Sequence, residues 1–309
     1  MLKEINCDFC GGNKVDVVFK STINSQDNDR FGYMCSNDGH GEHYKVVRCN
    51  NCGLHYCSPR PAATDLELGY QETQDVIYQE EIQGRRKTFQ RNLRNLSRYK
   101  KKGRLLDIGC YLGIFIDEAR KVGWDAEGIE PSKWCVKQAK EIFGLNVRQG
   151  TYKDVALIKE RFDVITMWDV LEHVDSPMYA LQMSHNALED DGILVFSTID
   201  IGSLYVRLLG RRWPWLMKMH IYYFDRKCIR KYLEKAGFKL LEIRVHKYIV
   251  SLEYLIYKLK RVNKFLFFIM NGVHKICCLF KNKIFLAIAF GDFMEVYAQK
   301  IPKQIENGG

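Results

Sequence analysis

The sequence has no apolar stretch long enough to cross a bilayer. Its first residues include Lys3 and Glu4 and no apolar core, so we expect no signal peptide. The apolar runs Phe265–Met270, Ile276–Phe280 and Ile284–Phe290 are each too short for a membrane span. Without a secretory signal, the eleven cysteines are expected to be reduced thiols and metal ligands, not a disulfide framework. We therefore expect a cytoplasmic protein.

A dinucleotide fingerprint is also missing, although the chain has a related unit. Arg104–Ser132 alternates apolar and glycine-containing segments in a way that predicts strand, tight turn, helix and strand. Gly109 and Gly113 are spaced G-x-x-x-G and not G-x-G-x-x-G, which argues against NAD. Glycines let the backbone approach a ligand closely, and the acid Glu130 at the tip of the second strand can accept both hydroxyls of a ribose. The unit predicts a nucleoside-bearing cofactor.

The same unit resembles motif I of the class I S-adenosylmethionine-dependent methyltransferases, D-x-G-x-G-x-G. Asp107, Gly109 and Gly113 match it, and Tyr111 replaces the middle glycine. Phe162–Pro177 (FDVITMWDVLEHVDSP) resembles the fourth strand and following helix of that family. The resemblance implies S-adenosylmethionine as cofactor. The residues it assigns to cofactor binding are Asp107, Gly109, Cys110, Gly113, Glu130, Trp168 and Asp169.

Alternating strand and helix patterns continue to the C-terminus and predict an α/β protein with a doubly wound sheet. The predicted elements after the motif are a helix Cys135–Phe143, a strand Asn146–Gln149, a loop Gly150–Asp154 beneath the adenine, strands Phe162–Trp168 and Gly192–Thr198, a helix Lys227–Gly237, and strands Lys239–His246 and Phe293–Lys300. Leu171–His173 is expected where the helix after the fourth strand begins. The resemblance implies a seven-stranded, Rossmann-like methyltransferase sheet whose last strand is antiparallel.

Two C-x-x-C pairs, each followed by glycine, predict a metal site near the N-terminus. Four thiolates, Cys7, Cys10, Cys49 and Cys52, form the closed shell of structural zinc. The neighbouring residues Cys35, Cys57, His40, His43 and His55 are then not needed as ligands. Arg48–Pro61 resembles the zinc ribbon that precedes some bacterial methyltransferases of sugar and surface-polysaccharide pathways. The predicted domains are a ribbon 1–61, a helical linker 62–103 and a methyltransferase domain 104–309 with an insertion 247–291.

Two basic regions account for the net charge of +10. Arg85–Arg104 contains no acid, and it is either a solvated helix face or a phosphate contact. Within the insertion, Leu252, Leu255, Ile256 and Leu259 follow the spacing of an amphipathic helix, and eight basic residues face Glu253 alone between Lys247 and Lys283. This pattern favours peripheral binding to an anionic membrane on its inner face. The alternatives are a homo-oligomer interface and a lid over the site.

Two histidines are candidates for the catalytic base because imidazole titrates near working pH. His220 begins the segment HIYYFD, which resembles the H-x-Y-Y-F segment that sugar-pathway methyltransferases place over the transferred methyl, and His173 follows the fourth strand. Asp169, Tyr222 and Tyr223 are supporting candidates. The resemblance implies methyl transfer to a sugar of a nucleotide-sugar, a glycan or a lipid-linked glycan. Whether oxygen, nitrogen or carbon is methylated stays open.

Two other functions compete with this prediction. The basic balance and the ribbon are compatible with an RNA methyltransferase. However, Trp168-Asp169-Val170-Leu171 is not the Asn/Asp-Pro-Pro-aromatic turn of exocyclic-amine methyltransferases, and the chain contains no Pro-Cys pair. Nucleic acid is therefore not the expected partner. The second competitor is a membrane-associated scaffold without catalysis, and intact Asp107, Gly109, Gly113 and Glu130 argue against it.

Overall fold

The N-terminal segment forms a small antiparallel sheet. The computed structural model of the chain describes residues 2–23, 33–34, 39–262, 267–269 and 284–302, without the side chains of residues 77 and 259–262. The first strands are β1 (Leu2–Lys3), β2 (Val15–Phe19), β3 (Val46–Cys49), β4 (His55–Cys57) and β5 (Arg60–Pro61). β3 pairs with β2 on one side and β4 on the other, and β1 pairs with β5. The sequence between the cysteine pairs predicts strands at Val15–Ile23 and Tyr44–Arg48, and β2 and β3 lie there with different ends.

Three helices connect this sheet to the rest of the chain: α1 (Ala63–Gln71), α2 (Val76–Glu80) and α3 (Ile82–Leu96). The basic run Arg85–Arg104 begins on α3, and five of its ten basic residues form ion pairs within the molecule. The pairs are Arg86 with Asp117 and Glu118, Arg91 with Glu295, Arg98 with Glu242, Lys100 with Asp163 and Asp191, and Arg104 with Glu127. The pairs of Arg86 and Arg91 attach α3 to the helix Ile114–Lys121 and the strand Phe293–Lys300. The run is therefore not a wholly solvated face, and a phosphate contact of its other basic residues stays a prediction.

The remaining chain builds the central sheet and its helices. Its strands are β6 (Arg104–Ile108), β7 (Asp125–Glu130), β8 (Arg148–Gln149), β9 (Phe162–Trp168), β10 (Leu188–Ile199), β11 (Tyr222–Tyr223), β12 (Phe238–Val245), β13 (Tyr248–Ser251), β14 (Phe285–Ile288) and β15 (Phe293–Lys300). Its helices are α4 (Ile114–Lys121), α5 (Lys133–Phe143), α6 (Pro177–Ala187), α7 (Leu204–Leu209), α8 (Arg226–Lys235) and α9 (Leu252–Val262), with 3₁₀ turns at Tyr152–Leu157 and Gly210–Arg212.

Across the described residues, seven strands pair in the order β8-β7-β6-β9-β10-β15-β12. β15 runs antiparallel to both neighbours, and the other pairings are parallel. Apolar runs such as Leu105–Leu106 and Val164–Ile165 are fully buried because helices cover both faces. The predicted α/β sheet and its antiparallel last strand are confirmed.

The helix after β9 begins later than predicted. Leu171–His173 forms a turn and not the start of a helix, and α6 begins at Pro177. Ser176 caps that helix by accepting a hydrogen bond from the Tyr179 N–H, and proline suits the first helical position because its missing N–H would have no partner there. The turn leaves Glu172 and His173 at the end of β9, near the edge of the sheet.

The ribbon is packed against the central sheet. β11 from the C-terminal half adds to the ribbon sheet by pairing with β4, Tyr222 opposite Tyr56 and Tyr223 opposite His55. The buried Arg60 donates to the Tyr222 hydroxyl and to the Asp175 carbonyl. Both regions contribute to one hydrophobic core. The division at residue 61 therefore stays a prediction.

Asp8, which lies between Cys7 and Cys10, ties the ribbon to two helices. Its carboxylate accepts from the Ser176 hydroxyl and the Met178 N–H at the start of α6, and from the Tyr232 hydroxyl on α8. The first cysteine pair is thereby fixed to the central domain.

The first part of the insertion, β13 and the start of α9, packs against the rest of the protein. β13 pairs with β14 and lies against α3, where the Thr88 hydroxyl accepts from the Ile249 N–H. On α9, Leu252 and Ile256 are buried, so this part of the predicted apolar stripe faces the protein. Four side chains of the predicted basic and apolar pattern lie outside the described residues: Leu259, Lys260, Arg261 and Lys264. Residues 265–266, 270 and 276–280 of the predicted apolar runs also lie outside them. No helix within the described ranges is both long and apolar enough to span a membrane.

Candidate cofactor and acceptor site

A pocket opens where β6, β7 and β9 end, the edge at which open parallel sheets bind ligands. Its lining includes Tyr33, Leu66, Glu67, Tyr70, Gly109, Tyr111, Glu130, Ser132, Tyr152, Asp169, His173, Asp175 and Met219. Three of the predicted cofactor residues, Gly109, Glu130 and Asp169, line this pocket, together with the candidate base His173. Tyr33, Tyr70 and Met219 give it an apolar and aromatic wall.

Gly109 and Gly113 shape the turn after β6. Both have positive φ, +71° and +76°, a conformation that disfavours any residue with a Cβ. A Cβ on Gly109 would lie 2.7 Å from Val170 Cγ2, and one on Gly113 would lie 2.6 Å from Leu145 Cδ1. Tyr111, at the position of the absent middle glycine, also has positive φ, +52°. The turn thus keeps its shape despite the substitution.

Glu130 is held at the tip of β7 by backbone donors. The Tyr111 N–H donates to Oε2 and the Ser132 N–H to Oε1, each at 2.9 Å. Burial raises the pKa of Glu130 to about 7, although these two N–H groups favour the carboxylate. A fixed carboxylate with remaining acceptor capacity, on a pocket wall, fits the ribose diol of S-adenosylmethionine.

The other predicted cofactor residues lie around the pocket and do not line it. Asp107 is buried and accepts from the Thr166 hydroxyl at 2.6 Å, and burial raises its pKa to about 8. Cys110 is buried, and Gly113 is the N-cap residue of α4. The Trp168 ring packs against Phe115 and tilts toward His246. Trp168 is thus placed in the packing behind the site, not on its wall.

Asp169 directly follows β9 and has a positive φ of 55°. Its carboxylate accepts from the Ser197 hydroxyl at 2.5 Å and from the Tyr248 hydroxyl at 2.8 Å. Ser197 belongs to β10, whereas Tyr248 belongs to the insertion. The insertion therefore contacts a residue of the pocket wall.

His173 is oriented by two oxygen atoms. Its Nδ1 lies 3.0 Å from the Met219 carbonyl oxygen and 3.0 Å from the Tyr70 hydroxyl. A carbonyl can only accept, so Nδ1 carries the proton and Nε2 keeps a lone pair. Burial lowers the pKa of His173 to about 4, which keeps the ring neutral.

His220 lies beside His173, with the two ring centroids 4.8 Å apart. Its Nδ1 is 2.8 Å from the Trp215 carbonyl oxygen, which fixes the same tautomer. Burial, followed by the neighbouring His173, lowers the pKa of His220 to about 3. The two candidate bases are therefore brought together, although they are far apart in sequence. The supporting candidates Tyr222 and Tyr223 are fully buried in β11.

Glu172 is the third titratable group at this point. Thr198 donates to its Oε2 at 2.8 Å, whereas Oε1 is buried and has no hydrogen-bond partner among the described residues. Burial, and then the charge of Asp169, raise its pKa to about 8.

The four predicted zinc ligands converge at the base of the ribbon. Their sulfur atoms all lie within 4.8 Å of one another, with Cys7 and Cys52 at 3.4 Å and Cys10 and Cys49 at 3.5 Å. The two loops have matching geometry, because Gly11 and Gly53 both have positive φ and donate to the carbonyls of Cys7 and Cys49. Four thiolates at this spacing fit tetrahedral zinc.

Several residues of the site carry no sequence signal. Tyr70 and Tyr248 each reach the site or its supports from a segment without a recognisable motif. Arg85 of the basic run stacks over the Tyr78 ring at 4.9 Å and the Tyr248 ring at 5.6 Å. Only the fold brings these segments together, so no spacing rule could have identified them.

Residues 78–243 match a protein family described as a methyltransferase domain. The chain is also similar to ubiquinone biosynthesis O-methyltransferases. It is 39% identical over 108 residues to that of Actinobacillus pleuropneumoniae serotype 7, covering 31% of this chain and 46% of the relative. It is 33% identical over 124 residues to that of Cereibacter sphaeroides, covering 37% and 50%. The chain thus spans about half the length of these curated relatives.

Among solved structures, the magnesium protoporphyrin IX methyltransferase of Synechocystis PCC 6803 is 16% identical and has a TM-score of 0.46, covering 75% of this chain and 90% of that one. The family match includes more than half of the chain and contains the glycine turn, Glu130 and the β9 segment. The chain belongs to the methyltransferase domain family.

Proposed function

We propose that the protein methylates a hydroxyl group on a sugar of a nucleotide-sugar, a glycan or a lipid-linked glycan. The observation that carries the proposal is the His173–His220 pair, because His173 lines the same pocket as the cofactor residues Gly109 and Glu130. The bound cofactor supplies a sulfonium methyl group with a good leaving group. The chain's own residues must then align a hydroxyl and remove its proton.

The acceptor is assigned to the end of the pocket formed by His173, Tyr70 and Met219. A neutral imidazole with Nδ1 bound to a carbonyl presents Nε2 as a proton acceptor. His173 is the favoured base because it lines the pocket, whereas His220 lies behind it and orients the neighbouring ring. Tyr33 and Tyr70 provide aromatic surface on which a sugar ring can pack.

A phenolic hydroxyl is the second candidate acceptor. The apolar and aromatic wall suits it, and the relatives of this chain are named for O-methylation in ubiquinone biosynthesis. Purified protein should be incubated with labelled S-adenosylmethionine and panels of nucleotide-sugars, lipid-linked sugars and catechols. Transfer to a sugar oxygen, located by NMR, supports the main proposal. Turnover of catechols alone would replace the sugar by a phenol, and methylation of carbon or nitrogen would contradict both.

Zinc is assigned a structural role in the ribbon. A closed shell of four thiolates has no open position for substrate, so the metal would organise the two cysteine loops and β3. The ordered loops hold Asp8, which binds the start of α6, and β4, which pairs with β11. Both α6 and β11 flank the acceptor end of the pocket.

Peripheral binding to an anionic membrane stays a prediction for the insertion. The described residues that would contribute to such binding include the basic Lys258 and the exposed apolar side chains Phe268 and Ile269. Sedimentation with phosphatidylglycerol vesicles at low and high salt tests it, because electrostatic binding weakens with ionic strength. A shift in the mass of the protein on making Leu255 polar would instead favour a homo-oligomer interface.

A further inference from the structure

Glu172, His173 and His220 together have the composition of a metal site distinct from the cysteine cluster. One ligand atom from each lies within 4.8 Å of the other two. Two imidazoles and one carboxylate form a common ligand set for divalent transition metals, and such sites keep open positions for substrate or water. The cysteine cluster, by contrast, offers a closed shell of sulfur.

The surroundings of these side chains are those expected of metal ligands. A ligating histidine generally donates its other ring N–H to a carbonyl or carboxylate, and both rings do so here, toward the carbonyls of Met219 and Trp215. The carboxylate is supported in the same way by the Thr198 hydroxyl on Oε2. These contacts orient all three side chains from outside the cluster.

The Glu172 carboxylate gives a second, independent observation that points to a bound cation. Glu172 is fully buried, and its Oε1 has no hydrogen-bond partner among the described residues. A buried carboxylate oxygen without a hydrogen-bond partner is unfavourable because it has lost its hydration. A cation bound by Glu172 and the two histidines would satisfy it.

The backbone holds the two contributing segments together. The Glu172 carbonyl accepts from the N–H groups of Ile221 at 2.9 Å and Tyr222 at 3.2 Å. His220 is therefore fixed beside the turn that carries Glu172 and His173, before any ligand is present.

We propose that Glu172, His173 and His220 bind a divalent first-row transition-metal cation at the acceptor end of the pocket. Its chemical consequence rests on the proposed methyl transfer to a hydroxyl, with the cation and not His173 as the group that activates the acceptor. The cation would lower the pKa of the acceptor hydroxyl, whose proton passes to solvent. The hydroxyl oxygen then bonds to the methyl carbon while the carbon–sulfur bond breaks, its electron pair staying on sulfur. The products are a methyl ether and S-adenosylhomocysteine.

The test uses full-length protein with its cysteine cluster loaded with zinc, titrated with Co²⁺ and followed by visible absorption and calorimetry. The parent should bind one Co²⁺ per chain, with a spectrum of nitrogen and oxygen ligands and no thiolate charge-transfer band. Glu172→Gln and His220→Asn should each weaken Co²⁺ binding by more than about tenfold, since even the outer partners of ligands are worth about 10–100-fold. His220→Asn keeps a donor toward the Trp215 carbonyl and removes only the ligating nitrogen.

His185→Asn is the matched control. It also removes a buried imidazole, but one that contacts the Ile301 carbonyl away from the pocket, and it should bind Co²⁺ as the parent does. Thermal unfolding and S-adenosylmethionine affinity of each variant exclude a general loss of folding. Absence of Co²⁺ binding, or equal binding by all variants, would overturn the metal site.

The acceptor panel separates this proposal from the function on which it rests. Turnover in metal-depleted buffer that survives Glu172→Gln would reject the cation and leave the histidine base in place. Variant-sensitive Co²⁺ binding without turnover of any hydroxyl acceptor would support the site and reject the proposed function.

Discussion

The two ends of the pocket are built in different ways. The cofactor end comes from one continuous stretch, β6 to the start of α5, in which Gly109 follows β6 and Glu130 ends the neighbouring strand β7. The acceptor end combines Tyr70 of α1, His173 after β9 and His220 before β11, and β11 itself pairs with the ribbon. The first end depends on local backbone geometry and the second on long-range packing. The two ends should therefore respond to different substitutions.

Removing zinc from the ribbon should have the largest effect, and that effect should be confined to the acceptor end of the pocket. Cys49→Ser with Cys52→Ser should remove zinc, whose binding free energy in small zinc domains is about 10–16 kcal/mol. Because β4 supports β11, methyl transfer should be lost, whereas S-adenosylmethionine should still bind. Elemental analysis and calorimetry measure the two outcomes. The buried Cys135, mutated to Ser, is the control and should leave the zinc content unchanged. Full activity without zinc would contradict this link.

Gly109→Val should abolish cofactor binding and thus affect the other end. A β-branched residue is strained at φ +71°, and its Cβ would meet Val170 at 2.7 Å. Gly123→Ala is the matched control, since its φ is +93° but no heavy atom lies within 4 Å of the added Cβ. Calorimetry on folded protein should detect no S-adenosylmethionine binding for the first variant and ordinary binding for the second. Equal affinities would place the cofactor elsewhere.

Glu130→Gln should weaken S-adenosylmethionine by about 1.5–3 kcal/mol, the usual worth of hydrogen bonds to a charged group. Glu127→Gln on the same strand is the control, because that side chain pairs with Arg104 and does not line the pocket. A Glu130 variant that binds the cofactor as the parent does would remove this residue from the ribose site.

The pH dependence of cofactor binding should follow the same carboxyl group. Burial raises the pKa of Glu130 to about 7, and a ribose hydroxyl donates to its ionised form. Protonation competes with the cofactor, so the Kd should rise as pH falls through 7, by up to about tenfold per pH unit. Calorimetry between pH 8 and pH 6 checks this. Glu130→Gln should flatten the profile, and an equally steep profile in that variant would assign it to another group, such as Asp107.

The smallest expected effect belongs to the acceptor end. Tyr70→Phe removes a hydroxyl that contacts His173 Nδ1 and should lower kcat/KM for the acceptor by about 0.5–1.5 kcal/mol, the net worth of one hydrogen bond. The Kd of S-adenosylmethionine should not change. Tyr179→Phe, at a partly exposed tyrosine of α6, is the control. A change in cofactor affinity alone would show that Tyr70 serves the other end.

The turn and strand at the cofactor end could be predicted from the sequence because their signals are local. Gly109 needs a positive φ and Glu130 ends an apolar strand, and both properties can be recognised from neighbouring residues. The four cysteines are also recognisable, since each C-x-x-C turn aims two thiolates at one point. The same holds for the central strands, whose apolar runs are short and bounded by glycine or acid.

The acceptor end could not be predicted to the same extent. His173 and His220 were identified by resemblance, but their mutual contact depends on a turn that replaces the expected helix start. Tyr70 and Tyr248 have no distinguishing pattern and reach the site only through packing. Trp168, by contrast, is a predicted cofactor residue that does not line the pocket. A residue at a strand tip points to one of two faces of the sheet, and its packing partners decide which. The basic run was ambiguous since its acidic partners lie up to two hundred residues away.

The pairing of Tyr222 and Tyr223 with β4 limits how this enzyme can be recombined with its relatives. A foreign ribbon would present a different strand edge to β11 and different partners to Arg60, so the segment carrying His220 would lose its register. Chimeras that exchange residues 1–61 alone are therefore expected to misfold at the acceptor end. Residues 1–61 and 213–224 should therefore be exchanged together. We expect such a double exchange to transfer acceptor preference between proteins of this architecture.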